Sequence, residues 1–362
     1  MSILSKGQTK TSVQSTSAQF AQRTAAAANN RFSLLAIHLY AQLTVGLCFY
    51  LYRHVSTPSY MSILLLFVPL SVIYFLSLHL GKTENLLSTP LGKCAGMLFI
   101  FCLLIDALMS LAAFTALVRE MLPDYNSALI VLASLICVMP AFRARNPHAL
   151  PSLAHLLRFP LLLAFAFSML GTLNQGNGGN LFPLLGMEGK RIFTGGLWMC
   201  GCLSPVLSPL FLSGPLQKTQ KRKGFASLSV ALLLGAGTAL LAAYLLPFYF
   251  LSRPETVGTQ LLLFLKVNTS LLAWSLMVCG MMLLLLISLS CALNQCCRLF
   301  GCITRKNLSP WAGLLLLPLP ALATDGAMEW LVALASVRGW LLAGVLLAAL
   351  IGTIGRKDRK SA

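Results

Sequence analysis

Ten long apolar runs, separated by short polar stretches, fill the chain from residue 33 to residue 355. They fall at 33–52, 60–80, 95–118, 126–142, 157–174, 192–213, 225–250, 267–295, 308–324 and 339–355. Each run is close to the ~20 apolar residues that carry an α-helix across the hydrocarbon core, so the pattern predicts an all-α integral membrane protein of about ten spans. Between Leu261 and Phe300 the apolar character lasts too long for one upright span. A short interfacial helix leading into a tilted span accounts for it. Residues 328–338 are expected along the membrane surface before the last span. Residues 1–30 are rich in Ser, Thr, Gln and Ala and hold no acid. They form no core and read as a disordered basic segment, without the layout of a secretory signal. The membrane domain spans 31–355, and 356–362 is a basic tail.

Composition agrees. Of 362 residues, 57% are hydrophobic and 10% charged, against about 25% charged in a soluble domain. The formal charge of +18 would suit nucleic-acid binding if it formed one patch. It lies instead in short clusters between apolar runs, as in loops that face an anionic inner leaflet, so no nucleic-acid partner is expected. With the N-terminus inside, 20 of the 27 Lys and Arg fall in cytoplasmic segments. The outer side receives Arg53, Arg119, Lys190, Arg191, Arg253, Lys266 and Arg338. This asymmetry places both termini in the cytoplasm.

Two spans carry interruptions. The first contains His38, Gln42, Thr44 and Gly46 in mid-run. The sixth contains Gly195, Gly196, Gly201, Ser204, Pro205, Ser208 and Pro209. Each proline removes a backbone donor, and membrane helices unwind only where the freed groups line a cavity or meet protein. Gly and Pro are also common in ordinary membrane helices, and Pro69, Pro140, Pro160 and Pro318 lie in other spans. Spans 1 and 6 nevertheless correspond if residues 32–174 and 190–355 are two five-helix repeats. An odd number of spans per repeat makes the second half inverted. That is a LeuT-like 5+5 plan, with a site where the repeats meet.

Asp106 is the acid deepest in a span. An intramembrane carboxylate is a functional candidate. It can bind a cation or a ligand amine or carry a coupling proton, or it is structural and satisfied by a neighbour such as Ser110. Lys266 can snorkel outward, and Asn268, Thr269 and Ser270 after it can cap a helix or touch a ligand. The eleven cysteines lack zinc-ligand spacing and read as small packing residues. Acylation of Cys296 or Cys297, just after a span, is the alternative. No GK[ST] loop, HExxH or GxSxG is present, so neither catalytic residues nor a metal or cofactor site is expected.

The order of these features resembles a known family. Leu117-Val118-Arg119-Glu120-Met121 ends span 3, Asn180-Leu181-Phe182-Pro183 leads into span 6, and Ser204-Pro205 sits near that span's centre. A basic Lys218–Lys223 exit follows. Together these are similar to the permease-like B subunit of bacterial endospore germinant receptors, in the amino acid–polyamine–organocation superfamily. One departure is clear: that family commonly has Gly-Glu after the span-6 proline, where this chain has Val206-Leu207.

The resemblance implies a subunit of the spore inner membrane that senses a small nutrient, typically an amino acid, alongside A-type and C-type receptor subunits. Gln42, Thr44, Gly46, Gly201, Ser204 and Pro205 are the expected ligand-binding residues. Freed N–H groups at unwound helix ends suit a carboxylate. Two other readings stand beside it: an H⁺- or Na⁺-coupled amino acid transporter that uses Asp106, and a structural or assembly membrane protein without a ligand.

Overall fold

The computed structural model describes residues 59–80, 86–121, 176–181, 204–211, 271–304 and 337–351 as stretches. It adds single positions and pairs between 163 and 174 and between 222 and 245. Four α-helices dominate: α1 (Ser59–Leu80), α2 (Pro90–Met121), α3 (Leu271–Thr304) and α4 (Val337–Ile351). No β-strand occurs among the described residues.

Local chemistry sets where α2 begins. Pro90 takes the first helical position, where its missing N–H costs nothing. Thr89 precedes it as the cap, its Oγ1 accepting the Gly92 N–H at 3.0 Å. Thr89 Oγ1 in turn donates to the Leu86 carbonyl at 2.9 Å. This folds the short 3₁₀ turn Leu86–Ser88 back against the helix start. A Cβ on Gly92 would lie within 1.7 Å of the Leu86 oxygen. Only glycine permits so close an approach of backbone to backbone.

From there α2 runs 32 residues and α3 34, or about 48 and 51 Å at 1.5 Å per residue. They pack antiparallel. Gly96 meets Ile303, the Cys296 thiol lies 3.7 Å from the Ile100 carbonyl, and Ser110 shares a 3.2 Å hydrogen bond with Ser288. Ala107, Leu111, Leu289, Ala292 and Leu293 fill the seam between the last two of these contacts. Small residues let the backbones approach, as membrane helices require where apolar burial drives little association. α4 also runs antiparallel to α2, with Arg338 against Asp106 and Gly344 against Leu98.

The outward faces are as apolar as the core. On α1, Leu64, Leu65, Val68, Val72 and Phe75 are exposed while Leu70, Tyr74, Ser77 and Leu78 are buried. Lipid solvates such a face; water does not. The stretches Pro90–Leu111 and Trp274–Thr304, with mean hydropathy 2.3 and 2.5, are long and apolar enough to cross a bilayer.

Residues 271–304 form one continuous helix, and the interfacial piece expected ahead of it falls at 261–270, outside the described residues. Cys296, Cys297 and Cys302 sit in the last turns of α3, where Cys296 is buried against α2, as a packing residue is, and Cys297 is half-buried. Pro69 does not break α1, which stays helical on both sides of it.

Candidate functional site

Span 6 behaves differently. Ser204–Phe211 is a 3₁₀ helix with Pro209 inside it. Runs of 3₁₀ beyond three or four residues are uncommon and mark strain or a hinge. Its cause is in the sequence: Pro209 removes a donor from within the segment, whereas Pro205 stands in the first turn, where the N–H has no partner inside the segment. In 3₁₀ register residue 209 would donate to the carbonyl of residue 206, and proline has no N–H to give.

Neighbouring elements hold this segment. Ser77 Oγ, on α1, lies 2.7 Å from the Tyr74 carbonyl of its own helix and 3.3 Å from the Val206 carbonyl. Ser208 Oγ is 3.5 Å from Gln295 Oε1 on α3. Phe211 stacks on Phe99 of α2 with centroids 4.9 Å apart and planes 21° apart. Val206 and Leu207 are each 1% exposed. Leu207 and Leu210 share a cluster with Phe99, Leu103, Cys296, Leu342 and Val345. Leu207 thus lies in a dry apolar layer.

The second feature is a buried ion pair. Asp106 sits about 24 Å along α2 from Pro90, and its Oδ1 accepts a hydrogen bond from Arg338 Nη1. Both side chains are 0% exposed. The same Nη1 also lies 3.3 Å from Met109 Sδ. Burying one such charge alone is prohibitive in hydrocarbon; two of opposite sign in contact are tolerable. Arg338, expected in an outer segment before the last span, lies in α4 and is fully buried against the carboxylate of Asp106. Ser110, one turn further along α2, also shares a hydrogen bond with Ser288 of α3.

Of the expected ligand residues, Ser204 and Pro205 open the 3₁₀ segment. Gln42, Thr44, Gly46, Gly201, Asn268, Thr269 and Ser270 lie outside the described residues. Ser77, Ser208, Gln295 and Arg338 were not singled out from sequence as site residues. Only Arg338 left a signal, as a lone cation beside an apolar run in a chain with a single deep acid.

No protein-family model matches the chain, and no curated protein matches it. Solved structures do. The chain is similar to a point mutant of the manganese transporter of Eremococcus coleocola, with a TM-score of 0.60 at 12% identity. A second mutant of that transporter gives 0.59 at 13%, and its complex with an aromatic bis-isothiourea-substituted compound gives 0.56 at 12%. Each match covers 90% of this chain and 78% of the other. The chain therefore has the all-α fold of a membrane transporter.

Proposed function

We propose that this chain is a ligand-sensing membrane subunit built on a transporter fold, of the kind formed by the permease-like subunits of spore germinant receptors. It binds a small nutrient, such as an amino acid, at the break in span 6. A LeuT-like 5+5 arrangement, cytoplasmic termini, a spore inner-membrane location and A-type and C-type partners belong to this reading. The transporter-like fold and the 3₁₀ segment at Ser204–Pro205 support it.

The observation that carries it is the Asp106–Arg338 pair. A carrier driven by protons or sodium needs an acid that exchanges its cation during each cycle. Asp106 is instead committed to a fixed guanidinium. A divalent ion such as manganese, named for the structural neighbour, prefers several oxygen ligands. Among the described residues no group of three His, Cys, Asp or Glu side chains offers such a set.

Coupled amino acid transport is the second reading, favoured by the transporter fold itself. The two separate in proteoliposomes containing the full chain. Binding of an amino acid without gradient-driven accumulation is the expected result. Accumulation of labelled amino acid under a proton or sodium gradient would overturn the sensing reading.

A further inference from the structure

The 3₁₀ segment of span 6 depends on a donor that its own helix does not supply. Pro209 leaves the Val206 carbonyl without its 3₁₀ partner, and that carbonyl is buried. A buried carbonyl without a partner is costly in an apolar layer. The Ser77 hydroxyl stands 3.3 Å from it, reached from a helix 129 positions earlier in the chain. On the other flank, Ser208 meets Gln295 at 3.5 Å.

We infer that Ser77 and Gln295 are positioning residues, which hold Ser204–Phe211 in 3₁₀ register and so keep the break at Ser204–Pro205 open for ligand. The inference rests on the reading of that break as the nutrient site. Ser77 is suited to the task because its hydroxyl has one proton and two acceptors within reach. The Tyr74 carbonyl is the nearer, at 2.7 Å, and belongs to its own helix. When the segment moves away, the proton turns wholly to Tyr74 and no donor is left stranded. The segment is therefore held, yet can be released at small cost. Gln295 acts from the opposite side and in the opposite sense, its Oε1 accepting the Ser208 hydroxyl through a contact long enough to break readily.

A double-mutant cycle on the full chain in nanodiscs tests this. Ser77→Ala should speed amide exchange in peptides covering 206–211 by roughly three- to tenfold. It should weaken amino acid binding by a similar factor, while the exchange of α2 and α3 stays unchanged. Ser77→Thr keeps the hydroxyl and should restore both readings. Pro209→Ala returns an N–H within span 6, so Ser77→Ala made in that background should have little further effect. Gln295→Leu should weaken binding and leave the Ser77 cycle intact. The probes are the twenty proteinogenic amino acids, each tested singly.

Equal effects of Ser77→Ala in both backgrounds, or no effect in either, would overturn the assignment of Ser77. Unchanged binding in Gln295→Leu would overturn that of Gln295. If the cycle holds in exchange but the parent chain binds none of the twenty, the register role of Ser77 stands and the amino acid reading falls.

Discussion

The α2–α3 pair and the Ser204–Phe211 segment are neighbours in one bundle, but they satisfy their backbones in opposite ways. The two long helices meet their own hydrogen-bonding needs and spend their side chains on each other. Small residues, the Ser110–Ser288 contact and the buried Cys296 close their seam. α4 adds an ion pair to the same frame. The 3₁₀ segment hands one carbonyl to another helix and one hydroxyl to a third. The frame has few ways to rearrange without exposing polar groups; the segment has alternatives close by. A bundle with both parts can keep its shape while one element shifts, which is what population shift by a ligand requires.

The comparison breaks most visibly at Arg338. Arg338→Met leaves the Asp106 carboxylate buried alone, so a loss of ~3–5 kcal/mol is expected. Unfolding of the purified chain in bicelles measures it. The double variant Asp106→Leu with Arg338→Met should recover most of the loss. If it does not, the pair has a role beyond charge compensation.

Next comes Leu207→Ala, which opens a cavity in the layer around the broken segment and should cost about 3 kcal/mol by the same measurement. Leu207→Met should cost less than about 1.5 kcal/mol. A near-neutral Leu207→Ala would show that the segment is less tightly packed than the frame, and would sharpen the contrast. Thr89→Ala removes the cap of α2 and should cost about 1 kcal/mol. Hydrogen exchange would show the loss as fraying confined to the residues near Gly92. Ser288→Ala, inside the seam, should cost only about 0.6 kcal/mol. A much larger value would mean that the polar contact outweighs the packing around it.

How much of this was legible in the sequence depended on distance along the chain. The run at 60–80 became α1 almost residue for residue, because apolar length is a local signal, while α2 begins at Pro90, five residues before the apolar run at 95–118. The paired prolines of span 6, also a local signal, announced a break. The break's geometry was hidden, since the donor that stabilises it lies on α1. Arg338's partner was not legible, because the acid it pairs with, Asp106, lies 232 positions away in the chain. Gln42, Thr44, Gly46 and Gly201 remain expectations from sequence.

The ion pair has an electrical consequence. Moving one elementary charge through the membrane potential takes ~2.3 kcal/mol per 100 mV. Asp106 and Arg338 together carry none, whether the proton rests on one or is shared, so an element that moves with both does no work against the field. A rearrangement that keeps them in contact therefore gains nothing from the membrane potential through this pair, and loses nothing when that potential collapses.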